Sequence, residues 1–419
     1  MTDPVRPSRL GQWLRRHSLT LVATLGGATG VAFAVAKYAP SSSPPAAIAS
    51  PGTGTLTGGP GPIALAEPVR DTVVDTVQIA LILDTSSSMD GLINQARSHL
   101  WKMVDDLGRM TRVVDGKVRG VRVEIALYEY GNSSVPATDG YIRQVLPLSG
   151  DLDLVSEKLH GLFTNGGSEY AGQAIVTAVT SLEWSSDPSA LRFIFLAGNE
   201  SFDQGPIAAA AAMKQAGDKD ITVQLIHAGG EEPSWRAAAK LAQSDLLMID
   251  QNHVAQHIPA PQDDEILRIG AALNGTYLAF GAEGQVAMAR QASADASSAR
   301  LSKKVALERS QLKGKASYKN DRWDLVDARK SDKTILEKTK DADLPAELRG
   351  KTLAEKQAFV DAKAKERADL QAQLARLEAE RAKFLEAERA KQGEAEASSL
   401  ESEVTKSTRK AAAKKGYKL

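Results

Sequence analysis

Asp84, Ser86 and Ser88 stand in a D-x-S-x-S array that offers one carboxylate and two hydroxyls to a common point. All three are hard oxygen donors, and the array carries little negative charge. That donor set suits Mg²⁺ or Mn²⁺, which take about six oxygens at about 2.0–2.2 Å and keep some of their waters. A local alternative exists: hydroxyls after a strand also cap helices, and Ser88 or Asp90 would serve as an N-cap with no metal. Elsewhere the chemistry thins out. Cysteine is absent from the 419 residues, which excludes disulfides, thiolate catalysis, Cys-based zinc sites and iron–sulfur clusters, so any metal must be held by oxygen or imidazole. His253 and His257 have i, i+4 spacing, but Val254 stands where a zinc-protease motif has glutamate, and Pro259 and Pro261 follow, so a surface loop is expected. Gly350-Lys351-Thr352 imitates the end of a phosphate loop, yet the first glycine position is Pro345 and no buried strand precedes it. There is no G-x-S-x-G. Tyr128, Glu129 and Tyr130 read as core packing or edge solvation. No catalytic residue is assigned, and a non-enzyme is expected.

The array needs elements to position it, and hydrophobic patterning supplies them from about residue 75. Residues 77–83 are a nearly continuous apolar run, as in a parallel strand buried on both faces, which puts the array at a strand-to-helix turn. Residues 91–110 carry Leu92, Ala96, Leu100, Met103 and Leu107 at helical spacing. Residues 121–130 and 141–148 are β-rich and joined by a polar connection, so they can pair as an antiparallel ribbon. Helices are then expected near 151–162 and 169–182, a strand at 191–197, a helix near 206–216, a strand at 221–227, and a helix near 233–243. A last helix and strand fall at about 262–273 and 275–280. This is an α/β pattern, a mostly parallel sheet with helices on both faces, in which ligands sit outside the carboxyl ends of the strands.

The array and the order of elements around it resemble a von Willebrand factor type A (VWA) domain, whose metal-ion-dependent adhesion site (MIDAS) begins with D-x-S-x-S. The resemblance covers roughly residues 75–280. Family members usually have a Gly-Gly-Thr loop before a helix, with the Thr hydroxyl reaching the metal. Here Asn165-Gly166-Gly167-Ser168 takes that place, which implies Ser168 as a ligand beside Asp84, Ser86 and Ser88. The third element departs from the pattern. Many members end the fourth strand in Asp-Gly, but here residues 193–197 run into Gly198-Asn199-Glu200. Gly198 falls at the aspartate position, with Asn199 or Glu200 as substitutes one or two positions on. Losing a carboxylate lowers retention of the implied Mg²⁺ or Mn²⁺ and leaves more positive charge on it. The resemblance then implies a protein partner whose Asp or Glu completes the coordination shell.

Composition bounds the rest. Lys and Arg total 52 against 52 Asp and Glu, and 42% of residues are apolar, which supports a core and argues against a nucleic-acid partner. The neutrality is a cancellation: residues 1–70 carry a net +4, residues 71–290 a net −12 and residues 291–419 a net +8. Arg6, Arg9, Arg15 and Arg16 precede an uncharged stretch of 18 residues, 19–36, about the minimum that spans a bilayer. Residues 1–39 therefore read as a signal peptide, with a cleavage-like Ala34-Val35-Ala36, or as an uncleaved membrane anchor. Either places the remainder of the chain outside the cytoplasm, in the cell envelope on a single-pass anchor, or periplasmic or secreted where the leader is cleaved. Residues 40–74, rich in Ser, Pro and Gly, read as a disordered linker, residues 75–281 as the VWA domain, and residues 282–419 as a charged helical region. Helices are expected at 284–313 and 352–392. Along the second, Leu353, Val360, Leu370, Leu374, Leu377 and Phe384 approach a 3,4 repeat with Arg367 and Arg381 in its seam, which fits a short coiled coil or a solvated helix. Residues 318–327 concentrate Tyr318, Trp323, Leu325 and Val326 and are expected to dock on the helices or the sheet domain. The basic residues 406–419 are expected to fray. This arrangement is similar to a group of bacterial envelope proteins of unassigned role. The expected function is a tethered or exported module for metal-dependent protein interaction or adhesion. The alternative is a metal-free adaptor whose C-terminal helices mediate oligomerisation or partner docking.

Overall fold

The computed structural model describes residues 73–250, 257–392 and 400–418, which lie in one compact unit. The strands are β1 (Asp75–Asp84), β2 (Thr111–Val114), β3 (Lys117–Arg119), β4 (Val121–Tyr130), β5 (Arg143–Ser149), β6 (Leu191–Gly198), β7 (Thr222–Ala228), β8 (Leu247–Ile249) and β9 (Tyr417–Lys418). The helices are α1 (Asp90–Gly108), α2 (Leu152–His160), α3 (Ala171–Ser181), α4 (Ala209–Asp218), α5 (Pro233–Leu241), α6 (Asp263–Asn274), α7 (Gly284–Leu301), α8 (Lys303–Lys313), α9 (Leu325–Ser331), α10 (Ile335–Lys338), α11 (Leu353–Gln392) and α12 (Leu400–Ala413).

Six strands form one sheet in the order β5-β4-β1-β6-β7-β8. All pairs are parallel except β4 with β5, the ribbon expected from residues 121–148. Because β1 is flanked on both sides, nearly every residue of it is buried, and its alternate residues feed two cores. Val77, Ile79, Leu81 and Leu83 pack with Leu92, Leu100, Met103 and Leu107 of α1. Ala80 and Ile82 face the other way, toward Ala174, Ile175 and Ala178 of α3 and Trp235 of α5. The chain turns to β4 on one side of β1 and to β6 on the other, so a crevice opens at the carboxyl ends of β1 and β6. Asp84 stands at its edge, in register with Tyr130 of β4.

Three expectations about elements are corrected. Residues 275–280 do not extend the sheet: Ala279 makes a single antiparallel bridge to Asp324, because the backbone here is taken up by the Trp-containing segment, with Phe280 N donating to Trp323 O (2.9 Å) and Leu325 N to Leu278 O (2.9 Å). The outer strand is instead β8. The expected helix at 284–313 breaks at Ser302, whose extended backbone and hydroxyl cap α8 by accepting from Val305 N at 3.2 Å. Finally, the basic tail is not frayed. Tyr417 and Lys418 pair antiparallel with Arg112 and Thr111 of β2, making a small sheet β3-β2-β9, and Val404, Ala412 and Tyr417 join the core under α1.

Residues beyond 282 are stitched to the sheet layer through buried ions. Arg309 of α8 is sandwiched over the Trp101 and Tyr318 rings (4.4 and 4.8 Å to the centroids). It contacts Asp153 of α2 (2.7 Å) and Asp295 of α7 (2.8 Å), and Lys313 reaches Asp295 at 2.6 Å. Arg367 of α11 is equally buried, 2.7 Å from Asp324 and 3.1 Å from Asp327, with its plane over the Tyr277 ring at 4.1 Å. The segment 318–327 is thus docked on both the helices and the sheet domain, as expected. The long helix α11 lays Val360, Arg367, Leu374 and Arg381 inward against α6, α8 and α9. Among the described residues no helix is long and apolar enough to cross a membrane. The expected leader, and the expected linker up to residue 72, lie outside the described residues.

Candidate metal centre

The turn after β1 is held from both neighbours. Thr85 N donates to Tyr130 O (2.9 Å), Thr85 Oγ1 to Glu129 Oε2 (3.2 Å), and Asn165 N to Thr85 O (2.9 Å), which ties the D-x-S-x-S turn to the Gly-Gly loop. Asn132 braces the same contact by donating to Thr85 Oγ1 (3.2 Å) and Phe163 O (3.0 Å). Within the turn, Ser86 N donates to Asp84 Oδ1 at 2.7 Å. The remaining oxygen, Asp84 Oδ2, is shut off from solvent with no hydrogen-bond partner, and so are Ser86 Oγ, Glu169 Oε2 and Asn199 Oδ1.

The helix-capping alternative for these serines is not what the turn does. Met89 occupies the N-cap of α1, and no side chain caps it. Ser88 is exposed and accepts instead from Asn199 Nδ2 (3.1 Å), which brings the end of β6 to the array. Asn199 is held from behind, its carbonyl 3.0 Å from His227 Nε2. Glu200 is exposed; its carbonyl accepts from Trp235 Nε1 at 2.6 Å, while its carboxylate acts on Glu169 only as a nearby charge. Ser168 is half-buried at the end of the Gly-Gly loop, directly before Glu169.

Two groups of this site were not assigned from sequence. The first is Glu169, 6% exposed, whose carboxyl is in contact with that of Asp84. Both converge under Gly131, where a Cβ would sit 2.9 Å from Asp84 Oδ1 and 2.8 Å from Glu169 Cγ. Burial pushes the Asp84 carboxyl up to about 6 against the pull of the Ser86 amide. Burial, followed by the charge of Asp84, pushes Glu169 up to about 8. The second is Tyr130. Its ring is buried, its hydroxyl donates to Ala197 O (3.3 Å), and a Cβ on Gly198 would land on that hydroxyl. Glycine at the expected aspartate position therefore has a physical cause: a tyrosine from the same sheet fills the space.

The donor set fits a hard divalent cation, with buried, unsatisfied carboxylate and hydroxyl oxygens at one point. Among the described residues no three His, Asp or Glu side chains form a metal-ligating group, so a cation here would rely on hydroxyls and water alongside the carboxylates. The other candidates resolve into structural roles. His257 Nε2 lies 3.0 Å from Asp263 at the start of α6, and His253 lies outside the described residues. Thr352 and Glu355 form a capping box for α11, Thr352 N donating to Glu355 Oε2 (2.8 Å) and Glu355 N to Thr352 Oγ1 (3.3 Å).

No protein-family model matches the sequence, and no curated protein does. Among solved structures, the chain is similar to proximal thread matrix protein 1 from the mussel byssus with a zinc-occupied MIDAS motif (11% identity over 42% of this chain and 41% of that one, TM-score 0.31). It is also similar to the VWA domain of SpRpn10 (15% identity, 42% of this chain and 88% of that one, TM-score 0.31). A third is a von Willebrand factor type A structure from Catenulispora acidiphila (20% identity, 42% of this chain and 39% of that one, TM-score 0.32). The match spans less than half of the mussel and Catenulispora chains. The strand order with its single antiparallel edge, and the D-x-S-x-S turn at the switch point of that sheet, agree with the fold expected from the resemblance to von Willebrand factor type A domains.

Proposed function

We propose that the chain is a binding module, not an enzyme, that engages a protein partner at the carboxyl end of the sheet with Mg²⁺ or Mn²⁺ held by Asp84, Ser86, Ser88 and Ser168. The observation that carries this reading is the pair of buried, unpartnered oxygens Asp84 Oδ2 and Ser86 Oγ at the switch point, in a turn where the serines are not used to cap α1. A bound dication would supply an open position for a carboxylate from the partner. The chain's own residues orient the site: Thr85 and Asn132 fix the turn against the Gly-Gly loop, and Asn199 positions the Ser88 hydroxyl. Phe163, 56% exposed on the loop that leads to Ser168, offers an apolar contact beside it. The inward face of α11 is used in docking on α6, α8 and α9, which leaves less of the C-terminal helices for the adaptor alternative. The leader and the acidic domain fit a tethered or exported location. Pulling down partners from envelope membranes with and without EDTA tests this function. Capture that is lost with EDTA and in Asp84→Ala supports it; capture that survives both refutes it.

A further inference from the structure

We propose that Glu169 is the second carboxylate ligand of this metal site, replacing the strand-end aspartate that Gly198 cannot be; this rests on the metal reading above and extends its ligand set. Three observations carry the inference. Position 198 is closed to any side chain, because a Cβ there meets the Tyr130 hydroxyl and lies 3.2 Å from Asp84 Oδ2. No carboxylate can therefore enter from β6 at that point. Glu169 enters from the opposite side, on the loop that follows Gly166-Gly167-Ser168, and its Cγ and Asp84 Oδ1 lie 2.8 and 2.9 Å from the point a Cβ on Gly131 would occupy. Among the described residues no Lys or Arg pairs with it, although an acid this buried ordinarily faces a cation or a row of amides.

The independent pointer to a ligand is next to it. Asp84 is fully buried and Ser86 is 4% exposed, yet Asp84 Oδ2 and Ser86 Oγ have no hydrogen-bond partner, and Glu169 Oε2 shares that condition. Two facing carboxylates and a hydroxyl, closed over by Gly131, are a donor set for a divalent cation. With both carboxylates as ligands, the charge of Mg²⁺ or Mn²⁺ is balanced by the chain itself. Retention of the ion then does not depend on the partner's acid.

The test is Mn²⁺ binding to the full chain by calorimetry, with the electron paramagnetic resonance of bound Mn²⁺ as a second readout, for wild type, Asp84→Ala, Glu169→Gln and Glu169→Ala. Far-ultraviolet circular dichroism confirms folding, and two Glu169 variants guard against one that fails to fold. The expected result is that both Glu169 variants bind at least about tenfold more weakly than wild type, the scale at which even outer-shell partners of a metal act, with an altered resonance for whatever Mn²⁺ remains bound. If wild type binds, Asp84→Ala does not, and the Glu169 variants bind as tightly as wild type, the Glu169 assignment is overturned and the metal site stands. If wild type itself does not bind Mn²⁺, both fall.

Discussion

Replacing Arg309 with methionine tests whether the C-terminal helices are integral to the sheet domain or merely laid on it. Arg309 serves Asp153, Asp295 and the Tyr318 hydroxyl (3.0 Å) between two aromatic faces. After the substitution Asp295 keeps Lys313 and Asn274. Asp153 keeps only the Tyr318 hydroxyl, at 2.6 Å. Its carboxyl is already pushed up by burial, against the pull of Arg309, so it is the group left uncompensated. Removing one partner of a buried ion pair costs about 3–5 kcal/mol, and the flexible Met stem recovers part of the packing between Trp101 and Tyr318. Arg309→Met is thus expected to lose about 3–5 kcal/mol in urea unfolding followed by tryptophan fluorescence. Arg309→Met with Asp153→Asn should recover about a kcal/mol or more relative to Arg309→Met alone, because the orphaned charge is gone. A loss below about 1 kcal/mol, or a double variant no more stable than the single one, would refute the ion network as the tie and leave apolar contacts to explain the docking. The same geometry warns against cutting the chain near residue 290 to isolate the sheet domain, since Trp101 and Asp153 would lose the residues that cover them.

Mg²⁺ or Mn²⁺ at millimolar levels should raise the melting temperature of wild type and leave Asp84→Ala unmoved, as read by calorimetry; equal responses would sink the site. Gly198→Ala should cost about 1–3 kcal/mol through the clash with the Tyr130 hydroxyl, as for other overpacked sites, and Tyr130→Phe should recover much of it in thermal melts. Tyr417→Ala removes a buried ring whose hydroxyl donates to Ser189 O (2.9 Å) and whose face meets Arg112; amide exchange in β2 should accelerate, and unchanged protection there would contradict the strand pairing. Asp263 has its carboxyl held below the ordinary 3.8, because Arg381 and the Ala260 amide outweigh the effect of burial. A depressed carboxylate stabilises the fold above its unfolded value and loses that contribution as pH falls through the folded one. Stability should therefore drop as pH falls below about 4, and Arg381→Gln should flatten that acid limb in pH-dependent urea unfolding.

The sheet is legible in the sequence because its signals are local: an apolar run before Asp84, helical spacing in residues 91–110, and a turn between two β-rich segments. Glu169 is not, since a single acid after a glycine loop looks like a solvated one until Gly131 and Asp84 are seen around it. The cause of Gly198 lies on β4, a strand about seventy residues earlier, and no local pattern couples it to Tyr130. Arg367 and Arg381 look like faults in a heptad seam. Their positions make sense only once Asp324, Asp327 and Asp263 stand opposite. The β2–β3 hairpin does carry a readable local signal: Asp115-Gly116 between Val114 and Lys117, with both turn residues at positive φ (50° and 74°). The strand at Tyr417 has none, because two residues in a lysine-rich run acquire strand geometry only from β2.

The pairing of Arg112 with Tyr417 joins positions roughly three hundred residues apart, so it cannot form until residue 417 has been made. Until residues 404–418 have been synthesised, the face of α1 that receives Val404 and Ala412 stays open. A nascent chain of this kind remains incompletely packed on that face through most of its synthesis. The clasp that completes the core therefore makes the last residues of the described chain a condition for packing its first helix.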